Sequence, residues 1–188
     1  MSRGGRRLLR DGGDRLCLWG LAESNLIGTI DPVGCGVHCI ADFFSDDAMV
    51  AVGNSGELAI WSLTGELQSR IPLKLGYVCA VRTIPHTKMI LLADPLGGIY
   101  RFEPASGTLQ LLHPRHEDWI RSLDVSSDGR WVLSVSQEQD CRLYDLERGE
   151  LVNGDDLGRG VSCADFVPGD PPSIVTVTAD GEIRRLSL

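Results

Sequence analysis

Residues 116–151 read HEDWIRSLDVSSDGRWVLSVSQEQDCRLYDLERGEL, and the order of apolar and polar residues in this stretch decides the fold. Three short runs, 120–126 (IRSLDVS), 131–136 (WVLSVS) and 141–147 (CRLYDLE), alternate their side chains with the period of two expected of half-buried strands. SDGR separates the first two, with Asp and Gly where a tight turn favours them, and QEQD separates the second from the third. A weaker fourth run, ELVNGDD (150–156), follows. The stretch therefore predicts a meander of four antiparallel strands. No window long enough for a helix carries a 3.6-residue apolar period, so essentially no helix is predicted.

The same unit recurs along the chain. An aromatic or large apolar residue closes the third run at Trp19, Trp61, Phe102, Tyr144 and Leu186, at intervals of 42, 41, 42 and 42 residues. The closing runs are RLCLWGL, ELAIWSL, GIYRFEP, CRLYDLE and EIRRLSL. First strands are read at 37–44, 78–84, 120–126 and 161–167, second strands at 49–53, 89–93, 131–136 and 173–178. Fourth strands are read at 25–30, 67–73, 108–114 and 150–156. A fixed period of this length marks a repeat architecture in which each unit is one supersecondary element. Nearly all nine prolines fall between these strands or at their ends, where a missing N–H does no harm.

Composition bounds the function. The 188 residues carry 18 Lys and Arg against 26 Asp and Glu, a net charge of −8. Four arginines, Arg3, Arg6, Arg7 and Arg10, sit in the first ten positions, so the rest of the chain is more acidic still. An acidic body lacks the clustered cations that drive binding to phosphate backbones, so nucleic acid is not expected as a partner. Apolar runs stop far short of a bilayer span, and neither a membrane nor a secretory signal is expected. Six cysteines, at 17, 35, 39, 79, 141 and 163, include no Cys-x-x-Cys pair. Cys35 and Cys39 flank His38, but no second pair follows at a zinc-site spacing, so no metal is expected. Strand-like surroundings lead the other four to be read as small buried hydrophobes, and reduced thiols suit a cytoplasmic location.

Four strands per repeat, with an aromatic ending the third, resemble the WD-repeat β-propellers. Residues 116–151 are the best copy, with His116 at the family's Gly-His position, Ser-Asp-Gly at the first turn and Tyr144-Asp145 in place of Trp-Asp. The chain holds neither a Gly-His nor a Trp-Asp dipeptide. The Asp expected before the third strand is clear only as Asp180, with Glu138 and Ser55 at the matching places. The family's buried His–Ser–Asp–Trp network is therefore expected to be mostly missing, with cohesion resting on apolar packing. The resemblance implies an all-β, WD-repeat-like propeller of about four blades of four antiparallel strands in an incomplete arc. On this reading residues 1–12 are a basic disordered tail and 13–188 are the partial propeller. Residues 13–30 end one blade, 37–73, 78–114 and 120–156 form full blades, and 161–188 supply a last blade of three strands. An open arc leaves blade faces uncovered, so self-association, or continuation of the propeller by further blades, is expected.

Catalytic signatures are absent: there is no G-x-S-x-G, no P-loop and no H-E-x-x-H. No enzyme activity and no cofactor are expected. The resemblance implies instead a non-enzymatic protein-interaction module, a scaffold or sensor, that binds a protein partner through loops at the channel face. The matching positions are Tyr77, Trp119, Arg121 and Arg159, before or at the start of first strands, with Asn54 and Gln137 in turns between second and third strands. Aromatic and Arg side chains are the types that most often anchor interfaces. The alternative is a fragment of a propeller-borne enzyme whose active site lies outside this chain.

Overall fold

A computed structural model describes residues 6–11, 15–30, 40–53, 55–112, 114–152, 157, 160–169 and 172–187. Among these residues there is no helix, and so none long and apolar enough to cross a membrane. The described residues form eighteen strands in five antiparallel sheets, and the chain divides into two compact units, Met1–Val81 and Arg82–Leu188.

The first unit holds two sheets. One has the order β1 (Arg7–Asp11), β2 (Leu16–Gly20), β3 (Asn25–Ile30); the other runs β4 (Ile40–Phe43), β5 (Ala48–Val52), β6 (Glu57–Ser62), β7 (Leu67–Pro72). Leu16 and Ile30 of the first sheet pack with Met49, Ala51, Ala59 and Trp61 of the second. The unit boundary falls within β8 (Ala80–Thr83), which closes a sheet with β9 (Ile90–Ala93), β10 (Ile99–Glu103) and β11 (Thr108–Leu112). Two further sheets follow in the second unit. They are β12 (Ile120–Val125), β13 (Trp131–Ser136), β14 (Cys141–Asp145), β15 (Glu150–Val152), and then β16 (Val161–Val167), β17 (Ser173–Thr178), β18 (Ile183–Ser187).

Burial explains the sequence pattern. A second strand lies inside its sheet and is covered on both faces, so β5 and β9 are buried at every position and read as continuous apolar runs. An outer strand such as β7 has one partner and little cover, and its side chains are mostly exposed. In the second unit, adjacent repeats are also stitched at equivalent positions. Ser122 Oγ donates to the Ala164 carbonyl at 3.3 Å, and Phe166 N–H donates to Asp124 Oδ2 at 2.8 Å, each pair being 42 residues apart. Leu133, Val135, Cys141 and Leu143 meet Val161, Ala164 and Ile174 in the same core.

Two expectations are corrected. About four blades in an incomplete arc give way to five blade-type sheets, of three, four, four, four and three strands. The difference arises where the sequence reads as a basic tail, because Arg7–Asp11 pairs with Leu16–Gly20 along its whole length, Arg7 opposite Gly20 and Asp11 opposite Leu16. Leu9 packs against the core and Arg7 Nη1 donates to the Asp46 carbonyl at 2.9 Å. The cysteines differ as well. None of the four in the described residues is in a disulfide, but only Cys141 is buried, whereas Cys17 and Cys79 are half-buried and Cys163 is exposed. Cys35, His38 and Cys39 lie outside the described residues.

Candidate functional site

One end of the β12–β15 sheet concentrates the polar chemistry of the second unit. The loop 114–119 enters β12 and lies beside the turn 137–140 that joins β13 to β14. Gln137 N–H donates to the Trp119 carbonyl at 2.7 Å, and His116 N–H to the Gly97 carbonyl at 2.9 Å, which fixes the loop from two sides. Gly97 is required there. Its φ is +78°, and a Cβ would stand 2.3 Å from the His116 carbonyl oxygen.

His116 is the hub. Its side chain is wholly buried, with Nε2 2.7 Å from the hydroxyl of the equally buried Ser134 and Nδ1 3.3 Å from Asp140 Oδ2. The Nδ1 contact lies within polar reach of the carboxylate and becomes an ion pair only when the ring is protonated. Burial, then the Arg142 guanidinium, pushes the imidazole down to about 4, with Asp140 opposing, so His116 is neutral at physiological pH. Asp140 Oδ2 also accepts from Arg142 Nε at 2.7 Å. Arg142 Nη1 reaches the Arg115 carbonyl at 2.6 Å, and the Tyr144 hydroxyl donates to the Pro114 carbonyl. Asp140, Arg142 and Tyr144 alternate along one face of the strand, and that face holds the loop 114–116 in order.

Ser134, His116 and Asp140 thus have the connectivity of a nucleophile, base and orienting acid. Ser134 is completely buried, so no substrate reaches its hydroxyl, and the set is a structural clamp. The expectation that the His–Ser–Asp network is mostly missing is accordingly corrected for this repeat. The acid is Asp140, two residues beyond the expected Glu138, and its place in the alternation with Arg142 and Tyr144 is the signal that would have found it. A second missed acid is Asp94. Its Oδ1 accepts from Leu96 and Gly98 N–H, each at 2.8 Å, and its Oδ2 from the Tyr100 hydroxyl at 2.7 Å, shaping the turn between β9 and β10.

Three residues expected to bind a partner come together at this end. Trp119 is 41% exposed on the entering loop. Arg121 is the extra residue of a β-bulge, since Ile120 pairs with Ser136 and Ser122 with Val135, and a bulge re-aims the side chain it carries. Its Nε donates to Gln137 Oε1 in the facing turn. Tyr77 is half-buried and belongs to the other unit. Asn54 and Arg159 lie outside the described residues.

The same loop and turn line an open cleft of about 420 Å³ walled by Glu117, Glu138, Gln139, Asp140 and Arg142. Among the described residues no group of three His, Cys, Asp or Glu side chains is placed to hold a metal ion.

Four-stranded meanders repeated along the chain, one of them carrying a buried His–Ser clamp, are similar to the WD-repeat class. Comparison with known proteins supports that class: residues 107–145 match the family WD domain, G-beta repeat. The chain is 26% identical over 115 residues to U3 small nucleolar RNA-associated protein 12 of Saccharomyces cerevisiae, covering 60% of this chain and 12% of that protein. It is 34% identical over 86 residues to nuclear distribution protein PAC1 of Ajellomyces capsulatus, covering 43% and 19%. It is 23% identical over 201 aligned positions to nuclear distribution protein PAC1-2 of Uncinocarpus reesii, covering 92% and 43%. The chain therefore spans less than half the length of each of these relatives.

Proposed function

We propose that this chain is a non-enzymatic interaction module, a scaffold or sensor, that holds a protein partner at the end of the β12–β15 sheet. The observation that carries this reading is the meeting of an exposed Trp119 with Arg121, both held by Gln137. The Trp119 carbonyl is tied to the Gln137 backbone, and the Arg121 guanidinium to its side chain. The Arg121 guanidinium, already held, loses little rotamer freedom on binding, and the bond at its carbonyl fixes the backbone from which the Trp119 indole projects, which suits an interface anchor. The acidity of the chain favours a protein over nucleic acid as that partner. A cytoplasmic setting, in which the four cysteines outside any disulfide stay reduced, fits the same reading.

Photo-crosslinking tests it. With p-benzoylphenylalanine at position 119 in cells, a discrete protein adduct is expected that weakens in Arg121→Ala. The same label at Leu96, 70% exposed on another turn, should not give it. Identical adducts from both positions, or an adduct at 119 indifferent to Arg121→Ala, would remove this surface from consideration.

A further inference from the structure

We propose that the chain binds a second copy of itself head to tail, the outer face of its β16–β18 sheet receiving the outer face of the other copy's β1–β3 sheet. Neither face carries Trp119, so this surface is distinct from the one described above. The contact repeats one that consecutive sheets already make. Leu133, Val135, Cys141 and Leu143 of the β12–β15 sheet pack on Ala164 and Ile174 of the sheet that follows it. In the same way Leu16 and Ile30 of the β1–β3 sheet pack on Met49 and Trp61 of the sheet that follows.

Two positions break the repeat's burial rule. Three residues before each closing residue stand Leu16, Leu58, Ile99, Cys141 and Ile183; the first four are at most 3% exposed, whereas Ile183 is 71% exposed. Across the ladder from each closing residue stand Leu8, Met49, Ile90, Val132 and Ile174. The last four are wholly buried, whereas Leu8 is 37% exposed. Each exception belongs to an apolar row running across its sheet, Leu8–Trp19–Leu26 on one and Cys163–Val177–Ile183 on the other. Exposed apolar rows of this kind mark surfaces that bind another protein.

The two rows are complementary rather than alike. Leu16 and Cys141, which share the place of Ile183, face the following sheet, and Met49 and Ile174, which share the place of Leu8, face the preceding one. A second copy's β1–β3 sheet therefore meets the Ile183 row as Ile174 and its neighbours meet Val135 and Cys141. Charge favours the same partner, because exposed Arg10 lies on the Leu8 face and exposed Asp165 on the Ile183 face, where Arg185 is tied to Ser173 Oγ at 3.0 Å. Such a contact is heterologous, with different patches on the two copies, so each copy keeps one face open for the next.

Sedimentation of the full chain over a concentration series should show association that grows with concentration. Ile183→Asp and Leu8→Asp should each weaken it about tenfold or more by placing a charge in an apolar contact. The thermal midpoint of Ile183→Asp should not move, since that side chain is exposed. Mixed, the two variants should form a one-to-one dimer, because each keeps the face that the other has lost. A second measurement needs no variant: Cys17 and Cys163 lie on the Leu8 and Ile183 faces, so isotopically light and heavy chains treated with a short bismaleimide should give a light–heavy Cys17–Cys163 bridge. A monomer at every concentration, association indifferent to both variants, no recovery in the mixture, or Cys17–Cys163 bridges confined to single chains would overturn the proposal.

Discussion

His116 makes the stability of its unit depend on pH in a direction the structure determines. The group titrates at 6.5 when free and at about 4 in the folded chain, so between those values the unfolded state binds more protons. A depressed folded value contributes stability that is complete above 6.5 and is lost as pH falls toward 4. Between the two values each step of one in pH is worth about 1.4 kcal/mol, so descending from neutrality to pH 5 should remove about 2 kcal/mol. Other groups titrate in the same range, among them the Asp124 carboxyl, which burial pushes above its ordinary value. The informative quantity is therefore the difference between the parent chain and His116→Gln, which has no titrating group at this position. Urea unfolding at several pH values should show the parent's advantage shrinking by about 2 kcal/mol from neutrality to pH 5. The His116 ring signals in NMR should report a midpoint well below 6.5, lower still in Asp140→Asn, where the carboxylate that favours the charged ring is gone. A pH-independent difference, or a midpoint at or above 6.5, would refute the buried, neutral clamp.

Other outcomes follow from particular contacts. Gly97→Ala should cost several kcal/mol in urea unfolding, because its Cβ meets the His116 carbonyl at 2.3 Å. Gly107→Ala has a similar positive φ of +69° and nothing within 4 Å, so it should cost only the ~1 kcal/mol of backbone strain; equal losses at both sites would deny the close approach. Asp145, wholly buried, accepts from Arg130 Nη2 at 2.8 Å and from the N–H groups of Glu147 and Arg148, and the Arg130 bond holds its carboxyl below the usual carboxylate range. Asp145→Asn should therefore destabilise by about 1–3 kcal/mol at neutral pH, and by less in strong acid, where the parent's carboxylate is itself protonated. A penalty that grows on acidification would contradict the ion pair.

The repeat was legible because it is written twice over, in the two-residue alternation of each strand and in the closing aromatic every 42 residues or so. Packing enforces both: Trp61, Phe102 and Tyr144 are buried at the same place in successive sheets, so a polar residue at any of them would unseat a core. The strand at Arg7–Asp11 carries no such mark. Its ladder is made by backbone groups, which are the same under arginine as under valine, and only Leu9 meets the core. The site divides along the same line. Trp119, Arg121 and Gln137 were readable because their place in the repeat is fixed by strands, whereas the bulge that aims Arg121 depends on one unpaired residue in the ladder. The shift of the clamp's acid from 138 to 140 escaped for a different reason. A carboxylate needs only to reach His116, and while Glu138 sits in the turn, Asp140 opens the strand on the face that also carries Arg142 and Tyr144, so Asp140 takes the role with those two in line behind it. That substitution of place leaves Glu138 without a structural duty and free at the mouth of the cleft. Glu138→Gln should therefore leave both the His116 ring midpoint and the urea midpoint where they are, whereas Asp140→Asn lowers the first, and a shift of either in Glu138→Gln would return the clamp's acid to 138.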